Sequence, residues 1–386
     1  METGLLDYNK NQQYVINLYE HKDKIAIFGS GKLGADLLPT LKYYGLFRAF
    51  IDNDTVKQSD GYMGERVLKI DEYLQTYPDD YIVIAATREN TLAIRKQLEE
   101  KGREIETDFV YMDVFLAMHM PILSFYKYGK LFVELSQICV TERCTLRCVN
   151  CAHACNRVPK DTKDLSIETV TKSADLYFKN VDITKEFVLI GGEPFLYKRL
   201  DEAIEYIGSR YRGKMIMFSI TTNGTVLPSE YIISLIKKYD ITVRISDYSS
   251  TLPNLKGAYD RLKLKLKDIK TIVLDTEKDK WFDYGFGEVD NGDNPVKLHE
   301  IFKTCATPCR EIRGSRYYYC VMARSVAENT RTYIGLNEYF EMDREFDKEE
   351  LLRFGMGIVD KGYLSMCRYC RGAASVEFRV PAAIQE

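Results

Sequence analysis

Three cysteines crowd one short stretch of the chain: Cys144, Cys148 and Cys151 in VTERCTLRCVNCAH. Thiolates are soft ligands, suited to zinc and to iron–sulfur clusters. The spacings, three residues and then two, are too asymmetric for a routine zinc knuckle, and no fourth ligand is evident. Three thiolates can hold three irons of a four-iron, four-sulfur cluster and leave the fourth iron open. Such a vacancy would be a defect in an electron carrier, but it is required where another molecule must coordinate iron.

A second group, Cys305, Cys309, Cys320, Cys367 and Cys370, falls in CATPCREIRGSRYYYC and CRYC. Four thiolates make a closed site, suited to an iron–sulfur cluster or to structural zinc. Cys139 and Cys155 flank the first group and read as packed or spare thiols. With ten cysteines and only four histidines, any metal chemistry is sulfur chemistry. The opening METGLLDYNKNQQYV lacks the basic and apolar regions of a signal peptide, and no run of eighteen apolar residues predicts a membrane span. The expected home is therefore the cytoplasm, where clustered thiols are more often metal ligands or catalysts than disulfides. A net charge of −3 gives no general basic surface, so nucleic acid is not an expected partner.

The elements that must position these groups alternate between strand and helix. At 386 residues, 45% hydrophobic and 29% charged, the chain is long enough for two or three domains. In residues 1–125, KIAIFGSG, FRAFIDND and YIVIAATREN read as three strands, with helical segments after the first and third. That order implies parallel pairing in a Rossmann-like sheet. The stretch LSFYKYGKLF, around 123–132, is the expected boundary. In 130–290 a second series begins with strand LFVELSQICV. Helix SIETVTKSADLYFKNV follows, with Ser166 as its N-cap. Strands EFVLIGG, MIMFSITTNG, ITVRISDY and IKTIVLD then alternate with helices. This predicts a partial (β/α)6 barrel of TIM type, with active loops at the strand C-terminal ends. WFDYGFGEVDNGDNPVKLHE reads as a loop, and 291–386 as a small cysteine-rich extension. The fold class is α/β.

CTLRCVNC matches the CxxxCxxC motif of the radical S-adenosylmethionine (radical SAM) superfamily, and LIGGEPF, one strand later, resembles its GGEP motif. The resemblance implies that the open iron binds the amino and carboxylate groups of S-adenosylmethionine. One electron then cleaves the sulfonium to methionine and a 5′-deoxyadenosyl radical, which abstracts hydrogen from a substrate. Gly191, Gly192, Glu193 and Pro194 would hold the methionine moiety, Glu193 accepting from its ammonium. Asn223 in TTNG and Ser246 in RISDY occupy the next two strand ends, with Ser246 the better candidate for a ribose or carboxylate contact. Many members carry an aromatic residue before the third cysteine; here it is Asn150, which receives no side-chain role. The C-terminal cysteines resemble SPASM or the shorter twitch extensions, which bind an auxiliary iron–sulfur cluster. Five cysteines fall short of the seven of a full SPASM domain, which points to one cluster. Cys309, Cys320, Cys367 and Cys370 are the preferred set, with Cys305 competing with Cys309.

GSGKLG, with Gly29, Gly31 and Gly34, fits GxGxxG between a strand and a helix, and Asp52 follows at a distance suited to a ribose contact. The segment resembles compact Rossmann-like modules of sugar-modifying transferases and epimerases. The leading reading is a radical SAM enzyme acting on a sugar or nucleotide-sugar, by oxidation or epimerisation, with electrons from a flavodoxin or ferredoxin. A peptide-modifying enzyme is the alternative within that class. From other classes come a catalytically silent, zinc-stabilised scaffold and a nicotinamide dehydrogenase. No catalytic acid or base stands out.

Overall fold

The computed structural model describes residues 8–275, 280–305, 309–333, 335 and 338–386. The reading of the opening stretch as lacking a signal pattern falls partly on residues 1–7, outside them. The chain divides into two compact units, Asp7–Lys130 and Leu131–Glu386.

In the front unit five parallel strands are paired, where the sequence shows three. They are β1 (Ile25–Phe28), β2 (Phe47–Ile51), β3 (Val67–Leu68), β4 (Tyr81–Ile84) and β5 (Phe109–Tyr111), in the order β3-β2-β1-β4-β5. The two additional strands have only two and three residues, too few for a period of alternation to register. Phe28, Ile51, Ile82, Ile84 and Phe109 fill the core between sheet and helices. The stretch expected as a boundary is largely the helix Met120–Tyr128, closed by Gly129 in the left-handed region.

The second unit is built on one long sheet. Strands β6 (Phe132–Thr141), β7 (Ile183–Gly191), β8 (Met215–Thr222), β9 (Ile241–Asp247) and β10 (Thr271–Asp275) pair in sequence order, all parallel. Helices such as Ile167–Asn180, whose N-cap Ser166 accepts from the Thr169 N–H, make the crossovers. This is the α/β, parallel-stranded architecture of a partial barrel. The sixth parallel strand does not follow β10. After a short β11 (Trp281–Phe282), β12 (Cys309–Arg313) joins the opposite edge, beside β6, and continues antiparallel into β13 (Arg316–Tyr318) and β14 (Phe340–Glu341). The cysteine-rich region is thereby part of the same sheet.

One expectation is corrected here. The segment read as loop through residue 300 contains the helix Pro295–Lys303, capped by Asn294, whose side chain accepts from Val296 and Lys297 N–H. Leu298 and Phe302 are its buried face, and burial of that face outweighs the turn-forming residues before it. A two-stranded ribbon pairs β11 with β15 (Arg379–Val380).

Candidate functional site

The end of β6 and the end of β7 are in register, Thr141 facing Gly191. That pairing sets where the cysteine loop begins. A Cβ on Gly191 would overlap the Thr141 carbonyl oxygen, and one on Gly192 would overlap the Arg143 carbonyl and stand 2.7 Å from Cys144 Cβ. Backbone hydrogen bonds from Gly192 to Thr141 (2.9 Å) and from Glu193 to Arg143 (2.8 Å) close the contact. The two glycines therefore act as a bearing surface for the loop that carries Cys144, Cys148 and Cys151.

Glu193 faces inward and is fully buried. Its carboxylate accepts from Thr222 Oγ1 (2.9 Å to each oxygen), the Asn223 N–H (2.9 Å) and the Phe195 N–H (3.1 Å). Burial pushes its carboxyl up to about 7, against these hydrogen bonds. The expected ammonium acceptor is thus already engaged in holding the strand ends of β7 and β8 together, with Pro194 buried in the turn that follows. Asn223 points at the cysteine loop: its Nδ2 lies 3.3 Å from Cys144 Sγ and 3.2 Å from Thr145 Oγ1. Ser246, at the end of β9, is buried, with its hydroxyl beside the Tyr248 phenol.

All three loop cysteines are free thiols. Burial raises Cys144 and lifts Cys148 to about 11, while a hydrogen bond from Cys155 lowers Cys151. Iron would replace those protons. The residues present fit an iron–sulfur cluster, because N–H donors already converge on the sulfurs. The Leu146 N–H lies 3.4 Å from Cys144 Sγ, and Gln385 Nε2 lies 3.3 Å from Cys148 Sγ. Among the described residues no three His, Cys, Asp or Glu side chains are gathered as for a single metal ion.

Behind the loop lies a buried charge network that sequence reasoning did not find. Arg324, fully buried, reaches Glu142 (2.5 Å) and Glu311 (3.0 Å from Nη2; Nε is 2.8 Å from Oε1 but out of line for a hydrogen bond). Arg313 and Asn329 also donate to Glu142, and Asn329 reaches the His153 carbonyl at 2.8 Å. Burial opposes ionisation of Glu142, but the two guanidinium groups outweigh it and hold the carboxyl down to about 2. Burial instead raises Glu311. These residues tie the cysteine loop to β12 and to the helix Val321–Thr330, across sequence separations no motif spans.

That helix starts at Cys320, its N-cap. Cys305 follows the helix Pro295–Lys303, Cys309 opens β12, and Cys367 and Cys370 belong to a tight turn at 365–370. Burial pushes Cys320 up to about 11 and Cys370 to about 12, and Cys320, Cys367 and Cys370 each feel the charge of Cys305. Cys309, with Cys305, Cys320 and Cys370, acts on the Tyr284 phenol. Tyr284 is also a wall of a shallow, solvent-open cleft beside Cys151, shared with Asn150, Arg157, Asp283, Phe286 and Thr330. Asn150 thus stands in that cleft.

In the front unit, Gly29 takes a φ of +119°, and a Cβ on Gly34 would overlap the Gly29 carbonyl oxygen. Gly31 is the N-cap of the helix Lys32–Tyr43. Asp52 accepts from Ser30 N–H (2.7 Å), Ser30 Oγ (2.5 Å) and Asp54 N–H (3.0 Å), and Lys57 Nζ donates to the Ser30 carbonyl at 2.8 Å. Asp52 thus braces the glycine turn.

A sheet of parallel strands carries a three-thiol loop at its C-terminal edge, backed by two obligatory glycines, the donor set that an open iron–sulfur cluster would require. Residues 138–249 match the family model described as "Radical SAM superfamily". Residues 138–249 thus carry a radical SAM domain, a superfamily whose enzymes use a [4Fe–4S] cluster and S-adenosylmethionine. Similar solved structures include anSMEcpe with bound AdoMet, at a TM-score of 0.40 and 13% identity over 66% of this chain and 93% of that one. BtrN in complex with AdoMet and 2-DOIA gives a TM-score of 0.39 and 15% identity, over 66% and 97%. Streptococcus suis SuiB bound to precursor peptide SuiA gives 0.30 and 11%, over 81% and 88%. No curated protein sequence matches the chain. No helix among the described residues is long and apolar enough to cross a membrane.

Proposed function

We propose that this radical SAM enzyme removes a hydrogen atom from a small polar molecule, a sugar or nucleotide-sugar, leading to oxidation or epimerisation. The observation that carries the reading is the seating of the Cys144, Cys148 and Cys151 loop on the Gly191–Gly192 strand end. When bound, an open-cornered [4Fe–4S] cluster and S-adenosylmethionine supply the electron and the 5′-deoxyadenosyl radical. The chain's own residues hold and orient. The three thiolates would bind the irons. The backbone of Gly191 to Pro194 would lie along the methionine moiety, and Ser246 would contact its ribose or carboxylate. Glu193 keeps the Thr222–Asn223 turn in place.

The cleft beside Cys151 is the proposed substrate site. Asn150, Arg157, Asp283 and Thr330 offer donors and acceptors suited to hydroxyl groups, and Tyr284 and Phe286 supply apolar walls. The second cysteine group, beside Tyr284, is proposed to hold an auxiliary cluster of twitch type. Its ligands would be Cys320, Cys367 and Cys370 with a fourth thiol from Cys309, for which Cys305 competes. An external flavodoxin or ferredoxin would deliver electrons. The glycine turn at Gly29, Gly31 and Gly34 is proposed as a separate nucleotide-recognition element.

The test is anaerobic purification followed by reaction with S-adenosylmethionine and dithionite. Brown protein containing iron and sulfide should form 5′-deoxyadenosine, and Cys144→Ala, Cys148→Ala or Cys151→Ala should abolish it. Colourless, zinc-only protein would sink the reading in favour of a scaffold. Nicotinamide-dependent hydride transfer that survives Cys148→Ala would favour a dehydrogenase instead. Deoxyadenosine formation stimulated by peptides but not by nucleotide-sugars would move the substrate to the peptide class.

A further inference from the structure

The segment that follows β15 returns to the first cysteine loop from the far end of the sequence. Val149 N–H donates to the Ile384 carbonyl (2.8 Å), and Glu386 N–H donates to the Arg147 carbonyl (3.0 Å), so Cys148 and Gln385 face each other as an antiparallel bridge. Ala382 and Ala383 are fully buried beneath it. Glu386 is held at its side chain by Arg147 (2.7 Å) and Asn156 (2.7 Å). The strap is therefore anchored on both sides of Gln385.

Its neighbours fix which way the Gln385 amide points. The Arg147 N–H requires an acceptor and lies 2.7 Å from Oε1; the Ala383 carbonyl requires a donor and lies 2.7 Å from Nε2. Reversing the amide would oppose donor to donor and acceptor to acceptor. The second hydrogen on Nε2 is left aimed at Cys148 Sγ, 3.3 Å away. Asn223 is locked in the same manner: Oδ1 accepts from Thr225 N–H and Oγ1, and Nδ2 is committed to Thr145 Oγ1 and Cys144 Sγ.

We propose that Gln385, acting with Asn223, sets the reduction potential of the cluster held by Cys144, Cys148 and Cys151, each carboxamide donating to one thiolate. The inference rests on the radical SAM reading of that loop. An added electron, delivered by a one-electron carrier of flavodoxin or ferredoxin type, increases negative charge on the sulfurs. An N–H donor stabilises the reduced form more than the oxidised form and so raises the potential. Gln385 is a positioning residue in this scheme. It touches a ligand, not the reacting atoms.

The experiment is a dithionite titration of anaerobic full-length protein, followed by electron paramagnetic resonance. The signal that changes when S-adenosylmethionine is added identifies the first cluster. Gln385→Met keeps length and burial but removes the donor. Gln385→Glu keeps the acceptor for Arg147 and adds negative charge. Both should retain wild-type iron and become harder to reduce, by about tenfold for the first, or ~59 mV for a one-electron couple. The second should shift further. Retained iron with an unmoved potential overturns this inference alone. Loss of iron from both variants also overturns it, because Gln385 would then be a structural latch. A wild type lacking any such signal overturns the radical SAM reading and this inference with it.

Discussion

Gly192 and Cys144 meet across the strand ends so closely that a methyl group on Gly192 would stand 2.7 Å from Cys144 Cβ while overlapping the Arg143 carbonyl. The obstacle is backbone, which cannot rotate away as a side chain would. Gly192→Ala should therefore displace the cysteine loop, at a cost of about 1–3 kcal/mol for overpacking. The expected result is protein that still folds but holds markedly less iron at the first site, with deoxyadenosine formation falling in proportion. Full iron occupancy in Gly192→Ala would remove the bearing-surface argument. Gly213, whose Cβ would meet nothing, supplies the control.

Arg324 is the centre of the buried network, and its removal strands the Glu311 carboxylate. Glu142 would keep Arg313 and Asn329, whereas Glu311 would retain Gln137. Breaking a buried pair by deleting one partner typically costs about 3–5 kcal/mol. Arg324→Met should lower the urea midpoint accordingly, followed by fluorescence of Trp281, the single tryptophan. Adding Glu311→Gln should restore part of the loss, since the stranded charge is then gone. A double variant no more stable than Arg324→Met would show that Glu311 is not the charge at issue.

What the sequence disclosed was short-range. The three thiols lie within eight residues, and Gly191 and Gly192 sit where an apolar run stops, so composition and spacing expose both. Gln385 and Cys148 are 237 positions apart, and nothing local marks an ordinary glutamine as a thiol's neighbour. Glu142 looks like any charged residue after a strand until Arg324 is folded against it. The missing front strands were too short to show alternation. The placement of β12 beside β6 was hidden for another reason: a strand's pattern does not tell which edge it joins. The helix Pro295–Lys303 was legible in part, with an Asn cap and a proline in its first turn, but the preceding Gly and Asp residues masked its start.

Cys305 and Cys309 can be told apart by iron counting. Cys305 and Cys309 both act on Tyr284, and Cys305 also on Cys320, Cys367 and Cys370, so the two thiols compete for the fourth position. Cys367→Ala should lose the iron of the second site, up to about four atoms per chain, while the first cluster's resonance persists. With Cys309 as the fourth ligand, Cys309→Ala should lose as much iron and Cys305→Ala should retain most of it. The reverse pattern would assign the position to Cys305, and equal loss would mean that both thiols serve the site.

His119 gives the front unit a pH dependence of its own. The ring is fully buried among Tyr14, Tyr19, Tyr81 and Phe115, with Nδ1 3.1 Å from the Tyr19 hydroxyl and no partner for Nε2 among the described residues. Burial holds it neutral by lowering its pKa to about 3. The unfolded chain takes up that proton near 6.5, so between the two values the unfolded state binds more protons and stability must fall as pH falls. At 1.36 kcal/mol per pH unit, the loss between pH 6.5 and 5 is about 2 kcal/mol. Hydrogen exchange of the β1 and β4 amides in the full chain should therefore quicken at pH 5 relative to pH 7, after correction for intrinsic rates. His119→Phe keeps the ring and removes the proton site, and should flatten that dependence even though the Tyr19 hydroxyl loses a partner. An unchanged slope in His119→Phe would assign the effect to another group.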